Sequence, residues 1–262
     1  MFGKPSRLFL KSPLVGRGIP MAVERMAAVI GVQDFPSGAR VLSCQSPDFG
    51  FRGGQFLYLA TGCIDDDGKE IKRIYSFLSS DDVSGCFDIA VQQVAGGPGS
   101  TFVHGLQPGD EIRFTGPWGL YHPDDAGMQR TLIVATDTAI TSALGLLNSE
   151  SMRSSLPSSG LLWLAGREQP FLPVQEVRQR LPATLAAFQY RTIPNIGDSS
   201  RTSTVVPLLQ NVLNCFSPAR LFVAGDGRLV SACRTAAEEF GLSTAQIRVE
   251  HFFHQPPPSE KV

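Results

Sequence analysis

The rhythm of the chain changes near residue 122, and that change constrains the fold more than any other feature. Between residues 26 and 116 short β-rich runs follow one another: "MAAVIGVQDF", "ARVLSCQS", "GQFLYLAT", "KRIYSFLSS", "CFDIAVQQV" and "DEIRFTGP". Clusters such as "PDFGFRGG", "DDDGKE" and "SSDDVSG" separate them. Short strands broken at regular intervals by turn residues predict an antiparallel barrel or sandwich. One short helix is expected at "GSTFVHGL", with Ser and Thr available as caps. After the turn-rich "HPDDAGMQ", apolar runs ("TLIVAT", "GLLWLAG", "AFQYRTI", "ARLFVAG", "QIRVEHFF") alternate with helical ones ("AITSALGLLNSE", "PVQEVRQRLPATL", "STVVPLLQNVLN", "LVSACRTAAEEFG"). That alternation means βα units around a parallel sheet. The expected organisation is a basic, disordered extension over 1–25, a β-barrel over 26–122, an α/β parallel-sheet (Rossmann-like) domain over 123–254 and a proline-rich tail over 255–262.

A chain of 262 residues is long enough for two such units. Its net charge of −1 argues against a nucleic-acid surface. No run approaches the roughly 18 apolar residues of a membrane span. The five cysteines, Cys44, Cys63, Cys86, Cys215 and Cys233, are too scattered for a zinc site or an iron–sulfur cluster. They read as free thiols of a reducing cytoplasm. His104, His122, His251 and His254 have no ligand spacing, so no metal is expected. Lys4, Arg7, Lys11 and Arg17 occur with no acid in the first 23 residues. That stretch reads as a disordered extension, a start displaced to Met21, or a transit-like leader.

"RIYSFLSS", residues 73–80, puts a cation, an aromatic ring and hydroxyls into an apparent strand. Alternation places Arg73 and Tyr75 on one face. An arginine fork suits a phosphate or pyrophosphate, and a tyrosine offers a ring for stacking. A ligand with a pyrophosphate and a flat heterocycle, as in flavin adenine dinucleotide, would use Arg73, Tyr75 and Ser76 together. An edge strand with a snorkelling Arg and a half-buried Tyr fits the octapeptide equally well. "GGPGST", residues 96–101, is a Gly-rich turn entering a helix, where free N–H groups and the Ser100 and Thr101 hydroxyls suit a phosphate. "GPWG", residues 116–119, reads as a barrel-closing turn. "VATDTAITS" lies at a strand-to-helix junction, where open α/β sheets bind ligands.

Taken in order, RxYS, the Gly-rich turn with Ser, GD, GPxG, the βα junction and a terminal ExFF resemble the ferredoxin–NADP reductase superfamily over residues 27 to about 253. "TDTAIT" is most similar to its bacterial ferredoxin (flavodoxin)–NADP reductase branch. The resemblance implies an FAD-binding barrel followed by an NAD(P)-binding domain. It also implies hydride transfer between NADPH or NADH and FAD, and single-electron transfer between FAD and a separate carrier such as ferredoxin or flavodoxin. Other implied readings are a reductase component of a multi-subunit oxygenase, and a flavin-binding subunit that has lost NAD(P)H use. A monomer is expected. Arg73 would contact the FAD pyrophosphate, Tyr75 would stack on the isoalloxazine, and Ser76 would hydrogen-bond near the hydride-accepting atom. Tyr75 and Ser76 are therefore the catalytic candidates. Val91, Gln92 and Gln93 would line the flavin, and Gly99 and Ser100 would hold the pyrophosphate. Thr138 would lie at the flavin–nicotinamide junction, Arg167 near the dinucleotide and Gly225 beside the nicotinamide. Phe252 or Phe253 would cover the second flavin face.

The chain also departs from the family pattern. Asp137 stands where the family has glycine, at a loop that approaches phosphates; capping its helix, it should weaken dinucleotide binding. Thr141 and Ser142 replace the usual Ala/Gly-Pro, Ala224 replaces a cysteine and Asp226 a proline. "RTIPNIGDSSRTSTV" lacks a clear Ser-Arg-Glu match, leaving Arg191 and Arg201 as candidates for a 2′-phosphate.

Overall fold

In the computed structural model the described residues are 23–124, 127–166 and 170–252. Arg167, Phe253, most of the expected extension and the expected tail lie outside them.

Six strands build the first sheet: β1 (Glu24–Asp34), β2 (Ala39–Gln45), β3 (Phe56–Ile64), β4 (Glu70–Ser76), β5 (Cys86–Gln92) and β6 (Glu111–Trp118). Every pairing is antiparallel, in the order β4-β3-β6-β1-β2-β5. The two edges meet where Phe77 bridges Ile89 and the Leu78 N–H donates to the Asp88 carbonyl at 2.8 Å. This contact closes the barrel at one end and covers part of the two edges that could otherwise template aggregation. The interior is aromatic: Phe49 meets Phe77, Phe87 and Phe114 with ring centroids 5.7, 5.5 and 5.1 Å away. Helix α1 (Pro98–Gly105) packs against β3, β4 and β5.

β1 begins at Glu24, so Glu24 and Arg25 pair with Thr115 and Phe114 and belong to the barrel rather than to an extension. Gly116, Pro117 and Trp118 lie within β6, with Trp118 opposite Phe56, instead of forming a turn. Glycine and proline are strong turn signals, but here tertiary pairing overrides them. The β1 ladder has already ended at Thr115, and the β3 pairing is irregular between Phe56 and Tyr58, so the missing proline N–H breaks no regular ladder.

Five parallel strands build the second sheet: β7 (Thr131–Thr136), β8 (Gly160–Gly166), β9 (Ala187–Ile193), β10 (Arg220–Asp226) and β11 (Ile247–Phe252). Their order is β11-β10-β7-β8-β9. Side chains alternate between two cores. Ile133, Ala135, Trp163, Phe222 and Ala224 face helices α2 (Ile140–Leu147) and α3 (Val174–Arg180). Leu132, Val134, Leu162, Leu221 and Val223 face α4 (Arg201–Phe216) and α5 (Gly227–Phe240). The winding reverses between β7 and β10, and a ligand crevice is expected outside the carboxyl ends of those strands.

The first of these cores is shared with the barrel, since Ala39, Val41, Leu78, Ala90 and Tyr121 belong to it. Polar links follow the same seam. Asp81 accepts the Gly53 N–H and the Glu150 N–H, each at 2.9 Å, and Ser37 donates to the Phe171 carbonyl at 2.6 Å. The two sheets are therefore joined by apolar and polar contacts alike. Among the described residues no helix is long and apolar enough to cross a membrane.

Candidate active site at the seam of the two sheets

On β4, Arg73 and Tyr75 share the face of their cross-strand partners Leu59 and Leu57, and that face ends against α1. Arg73 is exposed and donates to the Lys72 carbonyl at 2.9 Å. Its stem lies on Gly99, where an added Cβ would come 2.5 Å from the Arg73 Cγ. Only glycine lets the guanidinium and the start of α1 approach so closely. Gly99 and Ser100 open that helix, and first-turn N–H groups have no intrahelical acceptor. A cation beside free N–H groups is a cradle for a diphosphate, so these residues fit FAD. Ser100 contributes differently from its sequence expectation: its hydroxyl accepts the Val94 N–H at 3.1 Å and donates back within the turn, so it shapes the loop. Tyr75 is half-buried, and desolvation pushes its hydroxyl up to about 12 against the opposing pull of Arg73, so it stays protonated.

The remaining barrel candidates differ in what they offer. The Val91 side chain lies in the barrel core, leaving only its backbone for a ligand. Gln92 donates to the Ser37 carbonyl at 2.9 Å, and Gln93 is exposed just beyond β5. Ser76 leaves β4 on the face opposite Tyr75 and is buried against α2.

Ser76 opens the connection that sequence reading missed. Ser142 of α2 donates to the carboxylate of Glu250 on β11, and its Oγ lies 2.8 Å from the Ser76 Oγ. One hydroxyl carries one proton. With Glu250 ionised, Ser76 is therefore the donor to Ser142; with Glu250 protonated, the direction reverses. Desolvation pushes the Glu250 carboxyl up to about 7, although the Ser142 hydrogen bond pulls it down. Glu250 belonged to the ExFF signature, and its place in that signature was the available signal. Ser142 stood out only as a replaced proline.

At the carboxyl ends of β7 and β10 a 3-10 turn, Asp137–Ala139, leads into α2. Thr138 is half-buried in that turn. Gly225 abuts Thr136, where a Cβ would come 1.9 Å from the threonine Oγ1. The Asp137 backbone has φ of +49°, a left-handed conformation that favours glycine. Its side chain does not cap the helix, which corrects the sequence expectation: neither the turn nor α2 has a side-chain cap. Instead the carboxylate accepts the Gly166 N–H at 3.0 Å and pairs with Arg201. Arg201 also faces Asp226 at 3.4 Å and donates to the Pro194 carbonyl. Arg191 is exposed on β9. The donors suited to a dinucleotide are present, and the chain's own carboxylates engage them. Phe252 packs on the shared core. A separate cavity of about 580 Å³ is lined by Gly160, Ala187 and Phe216 and opens near the amino ends of the strands, away from this crevice.

Residues 41–122 match the oxidoreductase FAD-binding domain family. The fold resembles a ferredoxin NADP+ reductase from Neisseria gonorrhoeae, solved with bound FAD and NADP, at a TM-score of 0.68 and 18% identity, covering 88% of this chain and 99% of that one. A glycine betaine monooxygenase reductase subunit of Pseudomonas aeruginosa is 31% identical over 99 residues, 37% of this chain and 26% of that protein. Ferredoxin–NADP reductase B of Sorangium cellulosum is 30% identical over 239 residues, 86% of this chain and 96% of that protein. The barrel, the doubly wound sheet and this full-length relationship agree: the chain belongs to the ferredoxin–NADP reductase family of FAD-dependent oxidoreductases.

Proposed function

We propose that the protein is an electron-transfer reductase in which reducing equivalents pass from NADPH, or NADH, to FAD and on to a separate carrier such as ferredoxin or flavodoxin. The barrel, which begins at Glu24, would hold FAD, and the parallel-sheet half that follows it would take the nucleotide. When bound, FAD supplies the chemistry side chains lack, accepting a hydride and releasing electrons singly. Arg73 and the N–H groups of Gly99 and Ser100 would hold the diphosphate, and Tyr75 would flank the ring. Thr138 and Gly225 border the crevice where a nicotinamide would enter.

The observation that carries this reading is the Ser76–Ser142–Glu250 chain across the seam. It links the strand bearing Arg73 and Tyr75 to α2 and β11 of the parallel-sheet half. With desolvation pushing its carboxyl up to about 7, Glu250 would give up its proton at neutral pH to Ser142, each hydroxyl passing on its own as it takes one, so that Ser76 presents its own proton at the flavin site.

Purified protein should show a flavin spectrum that bleaches anaerobically on adding NADPH or NADH. Reoxidation by ferredoxin or flavodoxin would support the carrier reading. The partial similarity to a monooxygenase reductase subunit supports a second acceptor, an oxygenase component, tested in the same reoxidation assay. The engaged state of Arg201 favours one further reading, a flavin-binding subunit without nucleotide use. A flavin that neither nucleotide bleaches would sink the reductase proposal and leave that reading in its place.

A further inference from the structure

Arg201 opens α4 and reaches back into the crevice, where its side chain is only 4% exposed. Two carboxylates flank it. Asp137 Oδ2 accepts from Nη2, and Asp226 Oδ2 lies 3.4 Å from Nε. The other Asp137 oxygen accepts the N–H of Gly166, the last residue of β8. A guanidinium and a strand-end N–H at a switch point are the donors a phosphate requires. Here an anion attached to the chain fills them.

The backbone around Asp137 argues that this arrangement is a built feature. A left-handed residue favours glycine, yet an aspartate is held there by contacts to β8 and α4. The Asp137 side chain is 15% exposed, nearer to solvent than the guanidinium it pairs with. If it withdraws, Asp226 still faces Arg201, so release does not strand a buried cation.

We infer that Asp137 is a tethered competitor for the phosphate groups of the pyridine nucleotide. The nucleotide gains Arg201 and the Gly166 N–H only when the Asp137 carboxylate gives them up. Affinity at this site is therefore set by the difference between two anions. This rests on the dinucleotide site proposed above.

The test is calorimetric titration of the FAD-loaded protein with NADP+ and with adenosine 2′,5′-bisphosphate. Asp137→Asn keeps the shape and the acceptor for Gly166 while removing the charge. Asp137→Gly removes the side chain and suits the backbone. Both variants should bind each ligand roughly ten- to a hundredfold tighter than wild type, the scale of one charge-assisted contact released to the ligand. Equal or weaker affinity in a folded variant overturns the inference, as does an absence of binding in all three proteins. Failure of both variants to fold, read by circular dichroism, also overturns it and makes Asp137 a structural counter-ion. Tighter binding without flavin bleaching would support the competition while removing the reductase reading. Bleaching with unchanged affinity would do the reverse.

Discussion

Arg73 is tied to the protein mainly through its stem, since its guanidinium donates only to the adjacent Lys72 carbonyl among the described residues. Arg73→Ala should therefore leave the barrel folded and loosen FAD. A lost charge-assisted contact costs about 1.5–3 kcal/mol, or roughly ten- to a hundredfold in affinity. Flavin retention through dilution and gel filtration measures it, and unchanged retention would remove Arg73 from the site. Glu250 gives a pH prediction. Its folded carboxyl sits near 7 against an ordinary 4.5, so the folded state holds the proton more tightly than the unfolded one. The associated stability is fully present below pH 4.5 and is lost as pH rises through 7, with an upper bound on the order of 3 kcal/mol. Urea unfolding of the flavin-free protein should show a stability decline between pH 5 and 8 that Glu250→Gln flattens. A decline unchanged in the variant would assign it elsewhere. Arg73 and Tyr75 were legible because their chemistry departs from their own strand. Glu250, Ser142 and Ser76 were not legible as partners, because contacts spanning 108 and 66 residues leave no local period.

Helix α2 is the element that joins the two halves. All eight of its residues are buried, and Gly145 is what lets it sit on the barrel. A Cβ there would come 2.1 Å from the Phe77 carbonyl oxygen, and one on Gly53 would come 2.1 Å from the Gly145 carbonyl oxygen. Both obstacles are backbone and cannot rotate away. Gly145→Ala should therefore destabilise by about 1–3 kcal/mol, the usual cost of overpacking, despite alanine's higher helix propensity. Urea midpoints measure this; a stabilised variant would show that the seam has slack. Most elements were legible, since strand alternation, apolar βα runs and turn clusters are local signals. β6 shows the limit: "GPW" reads as a turn by residue preference, yet Trp118 pairs with Phe56 across 62 positions of chain. The parallel sheet was legible from apolar runs alternating with helical ones, whereas its strand order and the close approach at Gly145 came only from packing.

A core common to both sheets should make the two halves unfold together. Tyr121 of the barrel side packs edge-to-face on Phe222 of β10 at 5.3 Å, within the cluster that also holds Ala39, Val41, Leu78 and Ala90. Unfolding either half alone would expose that cluster to water, at roughly 25 cal/mol per Å² of apolar surface. The two tryptophans provide one reporter in each sheet: Trp118 is in β6, and Trp163 is fully buried in β8. Trp163→Phe leaves the barrel reporter, and Trp118→Phe leaves the parallel-sheet reporter. Trp163→Phe also loses the indole donor to the Asp137 carbonyl, so the comparison belongs within each variant. In both, the fluorescence midpoint in urea should coincide with the far-ultraviolet circular dichroism midpoint, the mark of a two-state transition. A Trp118 signal that separates from the dichroism curve would mean that the barrel survives without its partner, and the shared core would then be a contact between independent domains.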